Sequence, residues 1–250
     1  MLRPVQIALI AIGSCVLSAT LAQDLTLEQL IEKHTKAIGG RQAIAQVRSI
    51  EFALTITEPQ FTVDAIYRAD RTPRMRIDIY ADGNRVFTEA YDGRKAWQIG
   101  DDGVPSEPGE KGTAALRNGV LLPGKLFGLH ESGLTGNKLK LVGRETVAGT
   151  NFHVIELTTS SGDAQMLYIS PDTWLIERTR LKKALHPDVD PTEQWLETRF
   201  SDFRKSDGVL RSYSHVEVNL ESGAIVQTVR VREIVSNPAF DVSLFDRPRA

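Results

Sequence analysis

The hydrophobic positions of the chain change their spacing twice. Residues 5–17 are an almost uninterrupted apolar run, residues 25–38 carry apolar side chains at helical spacing, and from residue 47 apolar and polar side chains alternate. A period near 3.6 predicts an amphipathic helix, and a period of two predicts a strand with one buried face. The chain is therefore predicted to contain a short apolar leader, one helix and a long succession of strands.

Local signals set the limits of the predicted helix. Thr26 is a suitable N-cap because its hydroxyl can accept a hydrogen bond from a free backbone N–H of the first turn. The pair Gly39-Gly40 is typical of a helix end. Residues 41–46 are predicted to form another short helical turn.

About ten or eleven strands follow in hairpin succession. In the first of them, Phe52, Leu54 and Ile56 alternate with polar residues, and turns such as Asp82-Gly83-Asn84 separate the later strands. Residues 114–118 and 125–130 are predicted as short helices in the middle of the chain. No strand–helix–strand alternation occurs, so the class is α+β with a predominantly antiparallel sheet, which must curl or close.

The first 22 residues read as a cleaved signal peptide. Arg3 precedes the apolar run, and Thr20-Leu21-Ala22 is a small-x-small cleavage site. The predicted organisation is a signal peptide over 1–22 and one β domain over 23–250, exported to the periplasm. The alternative is a lipoprotein anchored through Cys15, which follows a loose lipobox.

Composition narrows the classes of function. The 250 residues carry a formal net charge of −2, and Arg3 is the one charged residue of the leader. A chain without basic excess is a poor ligand for nucleic acid, so no nucleic-acid partner is expected. Cys15 is the single cysteine, so cleavage would leave a chain that cannot form a disulfide bond.

No catalytic or metal-binding motif stands out. The five histidines form no HExxH pair, and the paired carboxylates Asp101/Asp102 and Asp188/Asp190 lie in predicted loops. We therefore expect no catalysis, no metal and no cofactor. A hydrolase whose acidic residues meet only in the folded chain stays open.

A group of arginines lies in the second to fourth predicted strands. The simpler interpretation is the solvent face of a meander, and the alternative is a basic rim for an acidic headgroup or partner. The group contains Arg68, Arg71, Arg74, Arg76 and Arg85.

Several motifs follow one another in a distinctive order along the chain. They are the helix 27–34 with 37–40, Tyr91-Asp92-Gly93-Arg94 through Trp97, the segments 143–149 and 152–157, the hairpin 168–176, and 202–204, 207–209 and 245–248. Taken in this order, they resemble the LolA-like periplasmic carriers of lipoproteins and lipids. The resemblance covers nearly all of 23–250. It implies an unclosed half-barrel of about eleven antiparallel strands with helices on its concave side, and shielding of the acyl chains of a lipoprotein or lipid.

The expected binding surface is the concave face of this sheet. Strand parity and the apolar middle insert predict the cavity residues, which are Phe52, Leu54, Ile56, Met75, Ile77, Ile79, Leu121, Leu122, Leu126, Phe127 and Leu129. The last five would form a lid, with residues 112–136 and Gly39-Gly40 as moving parts. The alternative is that all of these residues are plain core. The carrier hypothesis requires an apolar cavity between the sheet and the inserted helices, and a structure without one would refute it.

The expected partners follow from this carrier hypothesis. They are a hydrophobic ligand and a membrane-bound donor or acceptor protein, with the carrier itself a monomer. An alternative with the same pocket is an envelope-stress sensor or adaptor that binds stray lipoproteins or a protein partner.

Overall fold

The structure is a computed structural model that describes residues 25–248. The predicted leader, with Cys15 and the cleavage site after Ala22, lies outside these residues. The helices are α1 (Leu27–Ala37), α2 (Gly40–Gln46), α3 (Glu110–Leu121) and α4 (Ser132–Thr135), with 3-10 helices at Leu129–Glu131 and Val242–Phe245. None of the helices in this part of the chain has the length and apolarity needed to cross a membrane.

Helix α1 begins where its cap predicts. The Thr26 hydroxyl accepts a hydrogen bond from the Gln29 N–H at 3.3 Å, and the Gln29 side chain accepts from the Thr26 N–H at 3.0 Å. These two bonds form a capping box. Gly39 then takes a φ of 121°, which lets the chain turn directly into α2.

The strands follow one another as hairpins. They are β1 (Ser49–Glu58), β2 (Phe61–Asp70), β3 (Arg74–Ala81), β4 (Asn84–Tyr91), β5 (Ala96–Ile99), β6 (Pro105–Ser106), β7 (Lys138–Val147), β8 (Thr150–Thr158), β9 (Ala164–Ile169), β10 (Ile176–Lys183), β11 (Gln194–Ser206), β12 (Val209–Asn219) and β13 (Ile225–Ser236).

All strands of the described residues belong to one antiparallel sheet. Its order is β6-β5-β4-β3-β2-β1-β13-β12-β11-β10-β9-β8-β7, so the last strand of the chain pairs with the first. The edges β6 and β7 do not meet, and the sheet is an unclosed β-barrel with helices, as predicted. Its thirteen strands exceed the expected number of about eleven, and the shortest of them is β6, of two residues.

One face of the sheet carries the two main hydrophobic clusters. Cross-strand pairs join Phe52 to Tyr67 and Tyr67 to Ile77, and this first cluster packs against α2 and α3. The second cluster lies on β8 and β9 under α1, whose Leu30 is fully buried. Helices and clusters share the inner side, which we call the concave face.

The opposite, convex face is covered in part by the C-terminal segment. The Trp97 indole N–H donates a hydrogen bond to the Phe245 carbonyl at 2.8 Å, and the Phe245 ring is fully buried. Arg76 donates to the Leu244 carbonyl at 3.1 Å. These contacts fix the 3-10 helix Val242–Phe245 against β3–β5.

The middle insert, residues 107–137 between β6 and β7, differs from its prediction. Helix α3 is longer than the predicted 114–118, because Leu116 and Val120 bury against the sheet and stabilise extra turns. Residues 125–130 were expected to be helical, and only the 3-10 helix Leu129–Glu131 overlaps them. A long-range donor explains this difference, since the Arg71 guanidinium binds the Leu126 carbonyl at 2.6 Å.

Candidate functional site

The concave face changes from a packed floor to a half-buried surface along its strands. On β1, Ile50 is 0% exposed and Phe52 7%, whereas Leu54 and Ile56 are half-buried. Neighbouring strands repeat this change. The half-buried residues, which we call the apolar strip, are Leu54, Ile56, Val63, Ile77, Ile79, Phe87 and Val229.

The wall facing the apolar strip is polar. In cross-strand register, His215 pairs with Val229, and Thr198 pairs with Glu217, so these side chains point to the concave face. Lys183 lies 2.9 Å from the Glu217 carboxylate, which also accepts a hydrogen bond from the Thr198 hydroxyl at 3.0 Å. We call these residues of β10–β12 the polar wall.

The mouth of the concavity is closed by the loop between β10 and β11. His186 lies 3.0 Å from the buried Glu58 carboxylate, which also accepts from the Gln227 amide at 2.8 Å. Burial raises the pKa of Glu89, and the nearby Asp188 carboxylate raises it further. Acidic groups and a histidine therefore surround the opening.

Helix α3 bridges the concavity and is tethered on its far side. The Asp188 carboxylate accepts a hydrogen bond from the Gly109 N–H at 3.0 Å, and Lys111 forms an ion pair of 2.7 Å with Glu193. At the other end, the Asn118 amide donates to Asp163 at 2.8 Å. Polar contacts thus hold both ends of α3 across the concavity.

Arg71 holds the segment that follows α3 through hydrogen bonds and an ion pair. Its guanidinium donates to the Val47 carbonyl at 2.7 Å and the Ile44 carbonyl at 2.8 Å, and pairs with Glu131 at 2.8 Å. Together with the bond to Leu126, these contacts join α2, the β2–β3 turn and the insert. Arg71 therefore stabilises the packed part of the concave face.

The predicted cavity residues fall into two groups. Five of them are fully packed core residues, namely Phe52, Met75, Leu126, Phe127 and Leu129. The other six are half-buried, namely Leu54, Ile56, Ile77, Ile79, Leu121 and Leu122. The structure brings the strand residues together on one face, and their role toward a ligand stays a prediction.

Two hollows within residues 25–248 lie outside the space between the sheet and the insert. One hollow of about 520 Å³ lies at the base, beside Arg48, Asp70 and Phe240. The other, of about 370 Å³, lies at the mouth, beside Phe61 and His186. In this conformation the insert covers the concave face.

A basic group in the middle of the site was missed by the sequence analysis. The Lys125 ammonium lies 3.0 Å from the Gly119 carbonyl oxygen and 5.0 Å from the centroid of the Tyr67 ring. Burial lowers the pKa of Lys125 to about 8, and the positive charge of Lys183 contributes. The one local signal is its position directly after Pro123-Gly124 and before the apolar pair Leu126-Phe127.

The arginines of β2–β4 lie mainly on the convex face of the sheet. Arg68 and Arg76 both bind the buried Asp78 carboxylate of the convex face, at 3.0 and 2.8 Å, and Arg85 lies 3.8 Å from it. Arg74 pairs with Asp70. This arrangement agrees with the simpler interpretation, a charged outer face of the meander. Among the described residues, no three His, Cys, Asp or Glu side chains are grouped as metal ligands.

Comparison with known proteins shows the fold. Neither a family model nor a curated protein matches the chain. The chain is similar to a LolA superfamily protein from Nitrosomonas europaea, with 13% identity, a TM-score of 0.58, and coverage of 90% of this chain and 99% of that one.

Two further structures have comparable similarity. A DUF1329 family protein from Desulfovibrio piger has 14% identity and a TM-score of 0.58, over 88% of this chain and 96% of that one. A Vibrio parahaemolyticus domain, named for outer membrane lipoprotein sorting, has 9% identity and a TM-score of 0.57, over 87% and 94%. The chain therefore has a LolA-like fold.

Proposed function

We propose that the protein is a noncatalytic carrier that shields acyl chains of a lipoprotein or lipid against the concave face. The observation that carries the proposal is the apolar strip, a half-buried hydrophobic surface inside a LolA-like sheet. The names of two similar structures, a LolA superfamily protein and a lipoprotein-sorting domain, support the same class. Export through the predicted signal peptide would place the carrier in the periplasm, between a membrane-bound donor and acceptor.

The free energy of burying an acyl chain favours a binding surface that opens and closes. Burial of one methylene contributes about 0.8 kcal/mol, so a chain of roughly 15 methylenes contributes on the order of 12 kcal/mol. That energy corresponds to a nanomolar complex, from which release would be slow. The work of moving an insert offsets part of it and makes release possible.

The closed state counts against a preformed acyl tunnel, so the proposal includes movement of α3. The contacts that hold α3 to the far wall are mostly polar and peripheral, whereas Leu116 and Val120 are its apolar contacts with the sheet. Such polar tethers can exchange with water at low cost. We therefore propose that α3 lifts from the loop between β10 and β11 when a ligand enters.

A reversible disulfide tests this movement. A Cβ built on Gly112 lies 3.1 Å from Cγ of Asp188, close to the about 3 Å between a Cβ and the distant sulfur of a disulfide. The variant Gly112→Cys/Asp188→Cys, made without the leader and Cys15, should therefore lock α3 when oxidised. The probe is the neutral dye N-phenyl-1-naphthylamine, whose fluorescence rises in apolar sites.

We expect the reduced variant to bind the dye and the oxidised variant to bind it at least about tenfold more weakly. Asp188→Cys alone is the matched control, and its binding should not respond to oxidation. Equal binding by the oxidised and reduced forms would show that α3 is not the gate. Absence of dye binding in every form, together with no lipid adduct in native mass spectrometry of protein from its own envelope, would refute the carrier.

A further inference from the structure

Lys125 is a cation without a counter-charge. Within residues 25–248, no carboxylate lies within ion-pair distance of its nitrogen, whose hydrogen-bond partner is the Gly119 carbonyl. Among the other basic side chains of the concave face, Lys183 pairs with Glu217. Arg211, which is 4% exposed, donates to the Ser206 and Lys125 carbonyls at 3.3 and 3.4 Å. Lys125 is half-buried, and an ammonium withdrawn from water without a paired carboxylate favours an anion beside it.

Tyr67 provides a second, independent observation. The residue is 5% exposed, and its hydroxyl has no hydrogen-bond partner among the described residues. Most buried polar groups are hydrogen-bonded, so an orphaned hydroxyl points to a missing acceptor. Its ring lies between the Phe52 ring, at 5.8 Å, and the cross-strand neighbour Ile77, beneath the Lys125 ammonium.

The polar wall beside Lys125 carries neutral or paired groups, and the acidic side chain near the start of the apolar strip is Glu89, the cross-strand partner of Ile77. Burial and the Asp188 carboxylate raise the pKa of Glu89, which favours its neutral form. Burial, with a smaller contribution from the charge of Lys125, lowers the pKa of His215 to about 4, so its imidazole is neutral at pH 7. Its ring packs edge-on against Phe200 at 5.1 Å. An oxyanion close to Lys125 would therefore meet an ammonium, a free phenol and no unpaired carboxylate of the polar wall.

We propose that Lys125 and Tyr67 bind the acidic headgroup of an acyl amphiphile, a carboxylate or a phosphate, while its chain lies along the apolar strip. This inference rests on the proposed function and adds the chemical class of the headgroup. The register supports it, because the strip begins beside Tyr67, at Ile77 on β3 and at Leu54 on β1. A headgroup at Tyr67 thus has an apolar path leading toward the mouth.

Displacement of N-phenyl-1-naphthylamine by dodecanoate, dodecyl phosphate and dodecanol tests the headgroup. In the wild type, at least one of the two anions should displace the dye at a concentration about tenfold or more below that of dodecanol, as expected for charge-assisted hydrogen bonds. The better of the two anions identifies the headgroup as carboxylate or phosphate. In Lys125→Met, anions and dodecanol should differ by no more than about twofold.

Two further variants keep the test independent of folding. Tyr67→Phe removes only the hydroxyl, and it should weaken the anion about threefold without changing dodecanol. Lys138→Met, at an exposed lysine, is the matched control and should behave as the wild type.

The possible failures are distinguishable. Equal displacement by anions and dodecanol in the wild type would overturn the headgroup site and leave the carrier intact. Unchanged anion preference in Lys125→Met, with a lowered melting temperature, would assign Lys125 to holding the insert and also overturn the site. A wild type that binds neither the dye nor any dodecyl compound would refute the proposed function itself.

Discussion

His34 should make the protein less stable in mild acid. The residue lies in α1 and is 5% exposed, and its Nδ1–H donates a hydrogen bond to the Trp174 carbonyl at 2.8 Å. Burial lowers its pKa from 6.5 to about 4, with a smaller contribution from His130, while the bond to Trp174 opposes the shift. The folded protein therefore holds the neutral imidazole, and the unfolded chain takes up the proton first.

The sign and size of the effect follow from this difference in pKa. Between pH 6.5 and about 4 the unfolded chain binds more protons than the folded protein, so the free energy of unfolding falls as the pH falls. At about 1.4 kcal/mol per pKa unit, the whole effect is about 3 kcal/mol, and about 2 kcal/mol of it is lost between pH 7.5 and 5.

Urea unfolding of the wild type and His34→Gln at several pH values measures this contribution. The glutamine amide can still donate to the Trp174 carbonyl but takes up no proton. We expect the wild type to lose its stability advantage over the variant by about 2 kcal/mol between pH 7.5 and 5, at constant m-value. A difference between the two proteins that stays constant over this range would refute the reasoning.

Two other predictions concern the floor of the concavity. Arg71→Met should lower the free energy of unfolding by about 3 kcal/mol because it leaves the buried Glu131 carboxylate unpaired, and adding Glu131→Gln should restore part of it. A double variant no more stable than Arg71→Met would contradict this. Gly39→Ala should cost at least about 2 kcal/mol, since its Cβ would collide with the Gly208 carbonyl oxygen at a φ of 121°. Gly40→Ala, with open space around its Cβ, should lower the melting temperature less than Gly39→Ala does. Equal losses in the two variants would show that strain at a positive φ acts without the collision.

The insert shows how far local sequence signals reach. Thr26 and the alternation on β1 correctly predict local structure because caps and strand periodicity depend on neighbouring residues. Residues 125–130 do not become the predicted helix, because the Leu126 carbonyl is satisfied by Arg71, far away in the chain. A distant hydrogen-bond partner of this kind leaves no local pattern.

The candidate site divides in the same way. From the sequence alone, strand parity placed Leu54 and Ile77 on one face of an antiparallel sheet, because side chains alternate with a period of two. Only the tertiary structure decided that Phe52 is floor while Leu54 is half-buried, because that depends on how far α2 and the insert extend over the sheet. It alone brought Lys125 to Tyr67, since the strand and the insert meet only when the sheet curls.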